Sequence, residues 1–260
     1  MTNSNTTYQY QPAQYSTFQN IFGRIWAFWG MSSFILSFIV IFIPSMLAGM
    51  LPGNTGQYAF ILVSRVWMSS WLKIIGCNIV IKGRENFKKG ENYIICYNHN
   101  ALLDAPLSAP FVPGANKTIA KDSFAKVPIF GFFYRKGSVL VNRKDEQSRR
   151  KSFEDMKKFL KLGMHICIYP EGTRNKSNLP LDKFQGGAFM LAYETKKSII
   201  PALMFGTKEA MPIHKSFFLL PKKLELHYLP AIEPGNLSAK ELRELTYKTM
   251  TDYYVANCAK

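Results

Sequence analysis

From Ile25 to Ser64 the chain carries no charged side chain, and before Glu85 it carries no acidic one. Such a stretch is not an ordinary solvated surface, and its first part, Ile25 to Ile43, is long enough for a bilayer hydrocarbon core, which takes about 20 residues of helix. Trp26, Phe28, Trp29 and Phe34 crowd one end, as interfacial aromatics do. A cleaved signal peptide fits poorly: the apolar run is too long, and the flank before it is rich in Gln, Asn, Thr and Tyr instead of basic residues. Pro44, Gly49, Pro52 and Gly53 read as breaks. In a second apolar segment, Gln57 to Gly76, the residues Arg65, Ser69 and Lys73 repeat every four positions and predict one polar helical stripe facing lipid headgroups. The first segment therefore either crosses the bilayer once or enters and folds back against the second. Basic residues follow it rather than precede it, which places the remaining chain on the cytoplasmic side. The resulting division is a polar tail over 1–18, membrane-inserted and interfacial helices over 19–76, and a folded domain over 77–260.

Over the whole chain 33 Lys and Arg stand against 17 Asp and Glu, a net charge of +16 that calls for an anionic partner: nucleic acid, a membrane surface or a phosphorylated substrate. With the apolar segment upstream, anionic headgroups account for the excess more simply than nucleic acid. The densest run of cations, Arg143 to Lys158, alternates with Asp145, Glu146, Glu154 and Asp155, as a solvated helix face does. The four cysteines show no CxxC spacing and three lie in apolar runs, so neither a disulfide scaffold nor a zinc site is expected, and a reducing compartment fits. His165 reads as a core residue, while His214 and His227 have no partner pattern.

From Cys77 onward short apolar runs alternate with helical patterns. Strands are predicted at 78–82, 93–97, 117–120, 138–141, 165–169, 199–204 and 223–229, and helices at 145–162, 186–197 and 238–256. The alternation predicts an α/β fold with a largely parallel or mixed sheet flanked by helices. In such folds ligands collect beyond the carboxyl ends of strands, and two loops there hold unusual residues. Asn98-His99-Asn100-Ala101-Leu102-Leu103-Asp104 follows the second strand, and Pro170-Glu171-Gly172-Thr173-Arg174 follows the fifth. Five residues turn a regular helix through about 500°, so His99 and Asp104 do not share a helical face. A turn that breaks helical geometry can still bring the carboxylate to the imidazole. Asp104 then fixes the tautomer, and the other ring nitrogen is free to take a proton from an alcohol. The absence of a Walker A loop, GxGxxG and GxSxG disfavours a nucleotide-driven enzyme and a serine lipase.

The run Asn98-His99-x4-Asp104 followed by Glu171-Gly172-Thr173-Arg174 resembles the glycerolipid acyltransferase family, specifically its bacterial 1-acyl-sn-glycerol-3-phosphate acyltransferases. Between them, Ala120-Lys121-x2-Phe124-x-Lys126-x-Pro128-x-Phe130-Gly131 and Gly137-x3-Val141-Asn142-Arg143 match the family's second block, and Ile200-Pro201 its fourth. The resemblance covers about residues 80 to 210. It implies acyl transfer from a thioester, acyl-CoA or acyl carrier protein, to the hydroxyl of 1-acyl-sn-glycerol 3-phosphate, giving phosphatidic acid without metal or cofactor. His99 would serve as base and Asp104 as its orienter, with the substrate's hydroxyl in place of a protein nucleophile. Backbone N–H groups at Gly172 and Thr173 are the candidate oxyanion donors. Arg143 and Arg174 are the expected phosphate ligands, with Lys121 beside them and Glu171 orienting an arginine or a substrate hydroxyl. The partners implied are the bilayer, the lysophospholipid and the thioester donor, with no nucleic acid, at a bacterial inner membrane. Asn142 and Ser123 stand where acidic residues are frequent in the family. The acceptor is therefore less defined than the reaction, and another lysophospholipid or a lyso-aminolipid fits the same chemistry. A reading of a different class is a membrane lipid-binding protein with an inactive site, against which the intact His99, Asp104, Glu171 and Arg174 count.

Overall fold

The computed structural model describes residues 14–258. Its seven strands are β1 (Ile79–Lys82), β2 (Ile94–Tyr97), β3 (Asn116–Lys121), β4 (Ser138–Val141), β5 (His165–Ile168), β6 (Ile199–Phe205) and β7 (Leu224–Tyr228). They form one sheet in the order β1-β7-β6-β2-β5-β3-β4, parallel throughout except for β6 and β7. All seven predicted strands are present, each end within one residue of its expected place. The predicted helices are α5 (Glu146–Lys161), α6 (Gly187–Thr195) and α8 (Ala239–Cys258). Three short ones were not predicted: α3 (Asp104–Leu107), α4 (Phe130–Gly137) and α7 (Thr207–Ala210).

Period-two alternation along the central strands separates two cores. Ile95 and Tyr97 of β2 face one cluster with Ile200, Ala202, Leu226 and Tyr228, while Ile94 and Cys96 face the other with Ile166, Ile168, Ile199 and Leu203. Residues of α5, α6 and α8, including Met156, Phe189 and Met250, cover the second face. The first face is covered by the amino-terminal helices α1 (Thr17–Met50) and α2 (Gly53–Ile74), through Trp67, Met68, Trp71 and Leu72 above all. His165 is in the core as expected: its Nδ1 accepts from the Tyr93 N–H at 3.1 Å, and burial holds its pKa down at about 4.

Of the polar tail expected over 1–18, residues 1–13 lie outside the described ones, and α1 begins at Thr17. Ser16 caps it, its side chain accepting from Gln19 N–H at 3.2 Å while Gln19 Oε1 accepts from Ser16 N–H at 2.9 Å. Pro44 and Gly49 do not break the chain. The helix runs through both to Met50, and the turn comes at Leu51 and Pro52. From there α2 folds back along α1. The indoles expected at an interface bind the second helix: Trp26 Nε1 donates to Ile75 O at 3.0 Å and Trp29 Nε1 to Ile74 O at 3.3 Å. The polar stripe expected on α2 also divides. Arg65 turns into the protein, Nε donating to Pro110 O and a terminal nitrogen to Val112 O, both at 2.7 Å, while Lys73 is exposed. Carbonyls left over at the end of a short 3₁₀ turn (Ala109–Phe111) are what this guanidinium satisfies.

Both ends of α1 are tied to the folded body. Leu219 N–H donates to Gly23 O at 3.0 Å near one end, and Lys136 Nζ donates to Gly49 O at the other. Close approach requires glycine here: a methyl at Gly23 would lie 2.4 Å from the Phe218 ring, and one at Gly30 2.6 Å from Leu219 Cδ2. The opposite face of α1 is left bare, with Ile25, Phe28, Ile35, Ile39, Val40 and Ile43 exposed. Among the described residues α1 is the one helix long and apolar enough to cross a membrane.

Candidate active site

The carboxyl ends of β2, β5, β3 and β4 lie side by side, and the loops that leave them carry His99, then Glu171 to Arg174, then Lys121, then Arg143. Three strand steps separate the first from the last, about 14 Å at roughly 4.8 Å each.

The β2 loop is pinned from several sides. Asn98 prolongs the pairing with β6 through its side chain, Nδ2 donating to Met204 O at 3.0 Å and Oδ1 accepting from Met204 N–H at 2.7 Å. The loop then turns so that Asp104, at the start of α3, meets His99: Nδ1 to Oδ2 is 2.8 Å. The same oxygen accepts from the N–H groups of Asn100 and Ala101 at 2.5 and 2.8 Å. An oxygen already serving two donors is an acceptor toward the ring as well, so Nδ1 carries the proton and Nε2 presents a lone pair. Asp104 is fully buried, whereas the His99 side chain keeps 21% of its surface open. Tyr169 lies against the imidazole, ring centroids 4.4 Å apart, and its hydroxyl is held by Ser108 at 2.7 Å. Nothing in the sequence reading marked Tyr169 or Ser108; an aromatic at a strand end has too many structural uses to stand out.

Glu171 has partners beyond the expected ones. It is buried, with Oε1 accepting from the His99 N–H at 2.7 Å and Oε2 from the Asp182 N–H at 2.8 Å. Burial pushes its carboxyl up to about 8, against the pull of those two donors. Each oxygen thus takes a backbone donor, and Glu171 clamps the His99 loop to the 182 loop, a role the sequence did not announce. Asn175 N–H closes the same junction by donating to His99 O at 2.7 Å. The oxyanion pair is also halved. Gly172, at φ 76°, closes a turn by donating its N–H to Tyr169 O at 2.9 Å, which leaves Thr173 N–H as the candidate donor. The turn needs the left-handed backbone that glycine supplies.

Arg143 and Arg174 form no ion pair among the described residues. Arg143 reaches back over the β5 loop, a terminal nitrogen 3.9 Å from where a Cβ on Gly172 would stand. Arg174 is half-buried in that loop and Lys121 is exposed at the end of β3. His227, expected to lack a partner, has two: Glu225 at 2.9 Å and the Tyr253 hydroxyl at 3.2 Å, away from these loops on β7.

This geometry sits inside a stretch, residues 78–204, that matches the Acyltransferase family. A 1-acyl-sn-glycerol-3-phosphate acyltransferase of Borreliella burgdorferi is 30% identical over 185 residues, 69% of this chain and 70% of that protein. The chain belongs to the acyltransferase family. A Saccharomyces cerevisiae protein of the same name is 33% identical over 141 residues, 52% of this chain but 45% of its own length. The crystal structure of the 1-acyl-sn-glycerophosphate acyltransferase from Thermotoga maritima superposes with a TM-score of 0.76 over 94% of this chain and 98% of that one, at 22% identity. That likeness shows a shared fold, helical leader included. In this acyltransferase Glu171 ties the loop after β2 to the loop after β5.

Proposed function

We propose that the chain transfers an acyl group from a thioester, acyl-CoA or acyl carrier protein, to the free hydroxyl of 1-acyl-sn-glycerol 3-phosphate, forming phosphatidic acid. The observation that carries this is the His99 and Asp104 pair, its open ring edge on the same sheet end as two guanidinium groups that form no ion pair among the described residues. The acceptor hydroxyl gives its proton to His99 Nε2 as its oxygen attacks the thioester carbonyl. Asp104 holds the ring and stabilises the imidazolium. Thr173 N–H meets the oxyanion, and collapse of the tetrahedral intermediate expels the thiolate, which recovers the proton from His99. Arg143 and Arg174 hold the acceptor's phosphate between them. The outer face of α1 seats the protein in lipid. A helix bonded to one body near both ends is embedded sidelong by its bare face, and the acceptor then reaches His99 without leaving the bilayer surface.

Thiol release from acyl-CoA, measured with a panel of lysolipids, tests the reading. His99→Ala is expected to abolish turnover while leaving vesicle binding intact. Asp104→Asn should lower kcat strongly, but by less. Arg143→Ala and Arg174→Ala should each raise KM for the phosphate acceptor by about tenfold to a hundredfold, the worth of a charge-assisted contact. Near wild-type turnover in the His99 variant would remove the mechanism. Equal use of an uncharged lysolipid would move the assignment to another acceptor.

A further inference from the structure

Between β3 and β4 an apolar edge stands uncovered. Phe130 and Phe133 of α4 pack inward, their ring centroids 5.4 and 5.7 Å from that of Phe38 on α1. Phe124, Val127, Ile129 and Phe132 do not pack this way: they are 45, 45, 58 and 67% exposed. The backbone itself holds Ile129 outward. It has φ 61° and ψ −56°, and Phe130 N–H donates to Pro128 O at 2.6 Å, which makes Ile129 the centre of a γ-turn of the rare, strained hand. Around it the chain is locked. A methyl on Gly131 would lie 2.3 Å from Ala125 O, and Arg135 donates to that same oxygen at 2.9 Å. A β-branched residue at positive φ is a genuine outlier, and such strain clusters where a chain does work at its surface. A connection that only had to pass from β3 to α4 would place glycine at this turn.

We propose that Phe124, Val127, Ile129 and Phe132 form a second lipid-inserting edge, in addition to the bare face of α1, that seats the mouth of the His99 site in the bilayer surface. The proposal rests on reading that face of α1 as lipid-facing. Three observations choose lipid as the occupant. The edge flanks α4, whose inward rings pack on the buried Phe38 of α1, so it is fixed to the helix whose opposite face is bare and apolar. It begins where β3 ends, in the row of loops that holds His99 and Arg143. Lys121, Lys126 and Arg135 stand exposed along the same segment, placed for anionic headgroups beside an apolar insertion.

The test uses the full chain with Phe132→Cys and Cys258→Ser, which leaves the other cysteines buried. An environment-sensitive fluorophore on residue 132 should shift to the blue, and be shielded from an aqueous quencher, when vesicles of phosphatidylcholine and phosphatidylglycerol are added. In the unlabelled chain, Phe132→Ser should lower vesicle partitioning by about tenfold, the worth of one large apolar side chain. It should leave turnover of detergent-dispersed lysolipid unchanged. Ile129→Gly should do the same while raising the thermal midpoint, because the strain is relieved. A probe that stays in water while the protein floats with vesicles overturns the proposal, as does shielding that appears without vesicles and grows with protein concentration, which would mean a second copy. Val40→Asp reports on α1 separately. If it binds vesicles normally, the reading of α1 fails, and the edge fails with it only where the probe at 132 also stays in water.

Discussion

The two amino-terminal helices lie side by side and are inside out relative to each other. α1 turns Gly23, Ala27, Gly30 and Ser33 toward the protein and its isoleucines away, whereas α2 turns Phe60, Trp67, Trp71 and Leu72 inward and Tyr58, Ser70 and Lys73 outward. In water a helix sorts its residues by polarity; α2 does so for Phe60, Trp67, Trp71 and Lys73, though Val66 and Ile74 are exposed and Gln57 and Ser64 buried. α1 does not: Gly23, Ala27, Gly30 and Ser33 bring its backbone close to Trp71 and Leu219, Phe38 packs inward beside Trp67, and Ile25, Ile35, Ile39, Val40 and Ile43 face outward. The more hydrophobic helix is therefore not the core helix.

Four substitutions would break or sharpen that contrast. Trp71→Ala should be the most damaging, about 3–5 kcal/mol in chemical denaturation of the detergent-solubilised protein, because it opens a cavity. It also removes the indole N–H that donates to Gly30 O at 3.2 Å. Arg65→Met keeps the stem but strands the Pro110 and Val112 carbonyls, and should cost about 1.5–3 kcal/mol by the same measurement. Gly30→Leu, on the inner side of α1, should cost about 1–3 kcal/mol by overpacking against Leu219, although leucine is the better helix former. Val40→Ser, on the outer side, should stay within about 0.5 kcal/mol in detergent yet weaken flotation with vesicles. Were Val40→Ser as destabilising as Trp71→Ala, both helices would be core helices and the contrast would vanish.

What could be read from the sequence divides along a physical line. The strands were legible because β-branched runs such as Ile79 to Ile81 and Ile199 to Ile200 announce themselves locally. α4 was not, because eight residues containing four aromatics and two glycines carry no clear helical period. His99 and Asp104 were legible because their partnership is between side chains within one loop. The clamp by Glu171 was not, since its partners are backbone N–H groups at residues 99 and 182, and a backbone donor leaves no mark on residue identity. The same holds for Arg65, read as facing headgroups and found on two carbonyls, and for Gly172, whose N–H belongs to its own turn. Repeats along a helix predict which residues share a face, not which neighbour that face will meet.

The bond from Leu219 to Gly23 has a consequence in time. These partners stand about 200 residues apart, so at roughly 5–20 residues per second some 10–40 s of synthesis separate them. α2 reaches α1 early; Phe218, Leu219 and the Lys136 cap come late. Throughout that interval the glycine face of α1 waits for a surface the ribosome has not yet made. On the proposed seating of its other face in lipid, the helix meets the membrane before it has a protein to belong to, and the nascent chain finishes folding where its first helix has settled.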